Sequence, residues 1–331
     1  MNRSSEFDLI KRFFSPLTDG ASGAFGLTND AAVWRPTDGC DAVITTDCLI
    51  AGVHFFFEDP PELVGEKLLA VNLSDIAAMG ARPSAYTLTA IFSDEINDSW
   101  IASFATGLRY AQEKYALDLL GGDTVRTPGP VTLSLTVFGN IEKGSAIPRG
   151  GARANDDIYV SGNIGDAALG LQVLRGELFV KSKHDAEFLI QRYRRPQPRL
   201  KIGSALVGIA SSAIDVSDGL SADLGHVARQ SSVDIDINLK DIPLSEAAKE
   251  CVEAEQEFFD SILGGGDDYE LAFSANINQR NAISELRDTL KVKITKIGKA
   301  VEARDFVNPK VQFLDTVGEN IFIKKDGYRH F

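Results

Sequence analysis

Acidic side chains stand repeatedly where the apolar runs of this sequence stop. Asp47 closes Asp41-Ala-Val-Ile-Thr-Thr-Asp47, and Asp123 follows Leu119-Leu-Gly-Gly122. Asp215 and Asp218 flank Ser217 in Ala213-Ile-Asp-Val-Ser-Asp-Gly-Leu220, while Asp267 and Asp268 follow Ile262-Leu-Gly-Gly-Gly266. Carboxylates with the hydroxyls of Thr45 and Thr46 offer only hard oxygen donors, a set that suits Mg²⁺ and not zinc or copper. Glycines beside such acids let another backbone or a ligand come close. The residues alone leave a second reading of Asp215 and Asp218 open, as ordinary cap and turn residues.

Three further groups carry possible chemistry. Asn72 and Asp75 are three apart on a segment that is otherwise nearly all apolar, so they share one helical face, and burying such a pair without a partner is costly. His54 heads the aromatic run Gly52-Val-His-Phe-Phe-Phe57 and reads as a packed, hydrogen-bonded histidine rather than a catalytic base. The basic run Arg192-Tyr-Arg-Arg-Pro-Gln-Pro-Arg199 reads first as a solvated connector and second as an anion clamp.

These residues need elements to hold them. Phe7, Ile10 and Phe14 predict an amphipathic opening helix, 41–47 a β-branched strand, and 66–79 a helix closed by Gly80 and Pro83. A second helix is expected over 100–114, then a strand ending on Asp123, and another over 131–139. The glycine-rich stretch 144–155 reads as the boundary between an N-terminal domain, 1–150, and a C-terminal domain, 151–331. Beyond it, Asp157-Ile-Tyr-Val-Ser-Gly162 predicts a strand leading into a tight turn and a helix over 162–170, with glycines not spaced as GxGxxG. The strand ending at Asp215 should feed a helix whose Leu220, Leu224 and Val227 face one way, capped by Ser217 or Asp218. A strand delivering a helix N-terminus is a place where phosphates bind well.

Composition narrows the classes. The chain has 331 residues, 44% hydrophobic and 24% charged, enough for two cored domains. Its net charge of −13 argues against nonspecific attraction to nucleic acid or an anionic membrane. Charges interrupt the first residues, and no run approaches the roughly 18 apolar residues of a membrane span, so a cytoplasmic location is expected. Cys40, Cys48 and Cys251 are odd in number and show no CxxC spacing, so they are expected to be buried thiols.

In order along the chain stand Asn72-Leu-Ser-Asp-Ile-Ala-Ala-Met-Gly-Ala81, Gly121-Gly-Asp-Thr124, Asp215-Val-Ser-Asp-Gly-Leu220, Gly265-Gly-Asp-Asp-Tyr-Glu-Leu271 and Gly327-Tyr-Arg-His-Phe331. That set resembles the thiamine-monophosphate kinases of the aminoimidazole ribonucleotide synthetase-like, or PurM-like, superfamily, from about Phe7 to Phe331. The resemblance implies a mixed α/β, two-domain PurM-like fold, with an N-terminal sheet pairing across a homodimer and a C-terminal α/β domain closing over ATP. It assigns Asp30, Thr45, Thr46, Asp47, Asp75, Asp123, Asp215 and Asp218 to a cluster of Mg²⁺ sites. Gly122, Asp123, Arg149 and Ser217 would contact ATP, and His54, Asp267 and Tyr328 thiamine monophosphate. Two positions depart from the family pattern. Thr28-Asn29-Asp30 stands for Gly-Asp-Asp, and Asp267 replaces the glutamate of Gly-Gly-Glu-Asp-Tyr-Glu.

The implied reaction is chemically coherent with these residues. The second pKa of a phosphate monoester is about 6, so the acceptor is already anionic at neutral pH and needs no general base. No Ser/His/Asp or Cys/His set is recognisable, as such a reaction allows. Two rivals remain at this stage: another ATP-dependent synthetase on the same framework, and a non-catalytic sensor of nucleotide or thiamine phosphate.

Overall fold

The computed structural model describes residues 5–254, 258–323, 327 and 328. Arg329-His-Phe331 of the terminal motif lie outside them. The chain divides into two units, Met1–Ile76 with Ala81–Gly144, and Ala77–Gly80 with Ser145–Phe331.

In the first unit the opening segment is helical but irregular: α1 (Glu6–Leu9) runs into a π turn, Ile10–Phe14, and a 3-10 turn, Ser15–Thr18, with Pro16 at its start. The change of pitch rotates the expected apolar face, so Leu9 and Phe14 are buried while Phe7 is left 82% exposed. There follow β1 (Cys40–Ile50), α2 (Pro61–Ala78), β2 (Arg82–Ser93), α3 (Asp98–Tyr115), β3 (Asp118–Thr127) and β4 (Thr132–Glu142). The sheet order is β1-β4-β2-β3. β2 and β3 are parallel, because α3 makes the crossover between them, and the other pairs are antiparallel. Helix α2 begins at Pro61, earlier than the expected 66, since proline suits the first helical turn, and it stops before Gly80 at φ 75°. Gly65 and Gly107 let α2 and α3 touch backbone to backbone. A Cβ on Gly107 would overlap the Glu62 carbonyl, and one on Gly65 would overlap that of Phe104.

The second unit contains β5 (Asp157–Ser161), α4 (Asp166–Arg175), α5 (Lys183–Arg194), α6 (Leu200–Ala205), β6 (Ala210–Asp215) and α7 (Leu220–Ser231). It continues with β7 (Val233–Asn238), α8 (Glu246–Ala254), α9 (Phe258–Gly264), β8 (Leu271–Ala275), α10 (Arg280–Leu290), β9 (Ile294–Glu302), β10 (Val311–Leu314) and β11 (Asn320–Ile321). Its sheet runs β11-β10-β7-β9-β5-β8-β6, with β7 and β10 parallel and the other described pairs antiparallel. The two-residue period of a strand divides the core. Ile158, Val160 and Ile214 pack with Leu224 and Leu263 on one side. Tyr159, Ala213 and Phe273 pack with Ile202 and Ile283 on the other. Of the three thiols expected in the interior, only Cys251 is buried, and Cys48 is exposed on edge strand β1. No helix is long and apolar enough to cross a membrane among the described residues.

Candidate active site

Helix α2 clasps strand β1 in the first unit. Buried Asn72 uses both ends of its amide: its oxygen accepts from the Asp47 backbone N–H at 3.0 Å, and its nitrogen donates to the Leu68 carbonyl at 2.9 Å. One turn on, Asp75 accepts from the Thr45 hydroxyl at 2.5 Å. The polar pair on this apolar helix therefore divides its work, Asn72 bracing Asp47 and Asp75 joining Thr45. Each buried amide bond of this kind is worth ~1–3 kcal/mol when its loss strands a partner. Alternation along β1 sends Thr46 to the opposite face, where its hydroxyl donates to the Leu135 carbonyl (3.1 Å) and accepts from Thr136 (3.1 Å). Its side chain is thereby separated from Thr45 and Asp47, a placement that the expected Thr45–Thr46 hydroxyl pair overlooked.

Asp30, Gly122 and Asp123 line one cavity of about 330 Å³ in the same unit. Asp123 does not end its strand as expected: β3 runs on to Thr127. The register slips between Tyr86 and Thr87, and this irregularity accommodates the Gly121-Gly122 pair. A Cβ on Gly122 would overlap the Leu88 carbonyl, so glycine is required there by the neighbouring strand. His54 lies in the turn after β1, and its Nδ1 accepts from the Ile50 amide at 3.0 Å. The neutral ring must then carry its proton on Nε2.

The second unit brings Asp215, Ser217, Asp218, Asp267 and Tyr328 together. β6 ends on Asp215 and α7 starts at Leu220, as the sequence predicts, but the cap is reversed. Neither Ser217 nor Asp218 caps the helix. Instead Asp223, inside its first turn, reaches back and accepts from the amides of Ser217, Asp218 and Gly219, each at 3.1 Å. Burial, and then the nearby Asp218 charge, push the Asp223 carboxyl up to about 7 against the pull of those amides.

The Gly265–Glu270 segment runs beside this loop. Asp267 donates its amide to the Ser217 carbonyl (2.8 Å), Tyr269 to that of Val216 (2.8 Å), and Val216 to that of Glu270 (2.8 Å). Glycine permits the approach: a Cβ on Gly266 would overlap the Ser217 carbonyl oxygen. Tyr328 donates its amide to the Asp218 carbonyl at 2.9 Å, and both residues line a cavity of about 820 Å³. Gly327, at φ 113°, has Ala222 and the Asp218 carbonyl where a Cβ would stand. Arg149 is exposed, and its charge helps to lower the His226 pKa after burial and Arg229, which puts it within electrostatic reach of α7.

Within the basic run, Arg192 and Arg199 follow the second reading, a clamp on an anion, and the anion is a side chain of this chain. Arg192 and Arg199 are not solvated: their side chains are 10% and 17% exposed and both hold the buried Glu270 carboxylate. Among the described residues, no three His, Cys, Asp or Glu side chains are gathered to hold a metal by themselves. The donors of the implied Mg²⁺ cluster are nevertheless of the right chemistry, since Mg²⁺ keeps several waters and binds through one or two carboxylates plus substrate phosphates.

Comparison with known proteins bears on this geometry. Residues 28–141 match the family model described as AIR synthase related protein, N-terminal domain. The thiamine-monophosphate kinase of Escherichia coli (strain K12) is 38% identical over 330 residues, 98% of each chain. The crystal structure of thiamine-monophosphate kinase from Stenotrophomonas maltophilia K279a is similar with a TM-score of 0.83 and 39% identity, over 93% of this chain and 96% of that one. The structure described as AaThiL complexed with AMPPCP and TMP gives a TM-score of 0.77 at 28% identity, covering 100% of both chains.

Proposed function

The chain belongs to the thiamine-monophosphate kinase family and is an ATP-dependent kinase of thiamine monophosphate, and we propose that its transfer is direct, in line and supported by Mg²⁺. The observation that carries the reading of the site is the clasp of β1 by α2, which presents Asp47, Asp75 and Thr45 as hard oxygen donors from two rigid elements. With Asp30 and Asp123 these residues would hold Mg²⁺ in the first unit, and Asp215 and Asp218 are assigned to Mg²⁺ in the second. Thr46 is left out of the side-chain set because its hydroxyl is engaged on the far face. Mg²⁺ bound by such donors neutralises phosphate charge, which is most of what phosphoryl transfer requires.

The remaining roles belong to this chain's own groups. Gly122, Arg149 and Ser217 are assigned to ATP, with Asp123 serving both nucleotide and metal. His54, with its proton on Nε2, is a donor suited to a phosphate oxygen. Asp267 and Tyr328 are assigned to thiamine monophosphate, whose cationic thiazolium suits a carboxylate and an aromatic face. The acceptor oxygen is already anionic, so no residue is required to remove a proton. The enzyme is further proposed to be cytoplasmic and a homodimer paired through the sheet of its first unit.

A coupled assay for thiamine diphosphate tests the reading. Product should form with multiple turnovers from ATP and thiamine monophosphate, and formation should stop with chelator and return with Mg²⁺. ATP carrying a chiral γ-phosphate should give inversion, whereas retention or a trapped phosphorylated side chain would overturn the direct transfer.

A further inference from the structure

Glu270 is fully buried, yet it is surrounded by donors. Its Oε2 accepts from the Ser161 hydroxyl at 2.6 Å and Arg199 Nε at 2.5 Å, and its Oε1 accepts from Arg192 Nη2 at 3.1 Å and from Arg199 Nη2. Gly162 leaves the space, since a Cβ there would overlap the carboxylate. Two residues upstream, buried Asp268 accepts from the amides of Gly165 (2.7 Å) and Ala167 (3.3 Å) at the start of α4. Burial raises the Asp268 carboxyl well above the usual range, so even this amide pair does not fully offset the lost hydration.

The residues alternating with these anchors are the strained ones. Asp267 has φ 70° and Tyr269 φ 51°. The left-handed region is uncommon for a tyrosine, and each such residue costs ~1–3 kcal/mol. A conformation this costly persists only where its surroundings over-determine it. Here the buried ion pairs do so, because releasing Glu270 would leave an uncompensated charge in the interior. The strained pair is also self-linked, the Tyr269 hydroxyl donating to Asp267 Oδ1 at 3.1 Å, and it is the part of the segment bonded to Val216 and Ser217.

We propose that Arg192 and Arg199 are positioning residues for substrate binding: by holding Glu270 they fix the left-handed backbone of Asp267 and Tyr269 and so aim Asp267 at thiamine monophosphate. This rests on the reading of Asp267 as a substrate contact. The two guanidinium groups are suited to the task. A planar fork donates to both oxygens of one carboxylate, whereas lysine is a point charge that cannot reproduce the geometry.

Steady-state kinetics of Arg199→Lys test the proposal. Loss of one charge-assisted bond should raise KM for thiamine monophosphate about 10-fold while moving KM for ATP less than about 2-fold. In an Asp267→Ala background the same change should add less than about 2-fold, because the group it positions is gone. An equal rise in both KM values, or full additivity with Asp267→Ala, would overturn it. Asp267→Ala alone separates the two layers. If it leaves KM for thiamine monophosphate unchanged, the substrate-contact reading fails and the positioning role with it. If it raises KM and Arg199→Lys does not, only the positioning role fails. Should Arg199→Lys not fold, Ser161→Ala, which removes the hydroxyl bond to Glu270 Oε2, is read by the same split and overturned by the same results.

Discussion

In the first unit Asp47, Asp75 and Asp123 project from a strand or helix whose backbone is regular at each of them, whereas in the second Asp218 and Asp267 sit on two loops held face to face. The first unit spends neutral hydrogen bonds, such as Asn72 to the Asp47 amide, on elements that would form anyway. The second spends buried carboxyl groups, Glu270 between Arg192 and Arg199 and Asp268 on the α4 amides, to hold a backbone that would otherwise relax. A metal ligand needs a carboxylate at a fixed place and tolerates water in its remaining sites. A substrate contact must match one shape, and that calls for an over-determined loop. The difference predicts that changes at the first set reduce turnover without unfolding, while changes in the second disturb folding and binding together.

The largest effect sharpens the first half of that contrast. Asp47→Asn, Asp75→Asn and Asp123→Asn should each lower turnover about 100-fold or more at limiting Mg²⁺. Their melting temperatures should stay close to the parent's, because removing a charge also relieves repulsion among neighbouring carboxylates. Near-normal turnover in all three variants would remove them from the metal set.

A glycine comparison tests the second half. Gly266→Ala drives a methyl into the Ser217 carbonyl, and Gly219→Ala adds positive-φ strain to contacts at Gly264 and Gly265. Each should cost ~1–3 kcal/mol or more, by urea midpoint, because neither backbone can give way easily. Gly121→Ala in the first unit meets nothing within 4 Å and should cost under ~1 kcal/mol. Equal costs at Gly121 and Gly266 would show that the two glycine turns are built alike, and the contrast would be lost.

Much of this was legible in the residues, and the rest fails for identifiable reasons. β5 and the β6-to-α7 connection follow from local apolar pattern. The Asp223 cap is not legible in the usual pattern, because a capping side chain normally precedes its helix, while the carboxylate that collects these loop amides lies inside it. The role of Arg192 and Arg199 was hidden by distance: their partner Glu270 is over 70 positions away, and a cluster of arginines with prolines looks the same in sequence whether solvated or buried. Only the unusual Asp-Asp-Tyr-Glu run, with more acid than a surface turn needs, hinted that cations must come to meet it. The far-face placement of the Thr46 hydroxyl follows from strand alternation, since adjacent strand residues face opposite ways.

The smallest expected effect concerns acid, and its sign differs between a carboxyl paired with cations, such as Asp157, and one raised by burial, such as Asp118. Burial would raise the Asp157 carboxyl on β5, but hydrogen bonds from Arg280 and Lys296 outweigh it and hold it below the usual range. Burial likewise pushes Asp234 upward, and the Lys310 and Arg304 amides with the Arg304 guanidinium overcome it and hold the carboxyl below the usual range. A depressed folded pKa means that the unfolded chain binds more protons below about pH 4. The contribution is therefore complete above the unfolded pKa and lost as pH falls through the folded one. In the first unit burial raises Asp118, so its contribution has the opposite course, complete below the unfolded pKa and lost as pH rises through the folded one. Asp157→Asn should thus lower the urea midpoint at neutral pH and converge on the parent as pH drops towards about 3, whereas Asp118→Asn should give a smaller change of opposite sign. Far-UV circular dichroism follows both units, and the fluorescence of Trp34 and Trp100 follows the first alone. A penalty for Asp157→Asn that does not vary with pH would mean that the second unit draws no stability from its paired carboxylate there, and the buried-carboxyl half of the comparison would then rest on Glu270 and Asp268 alone.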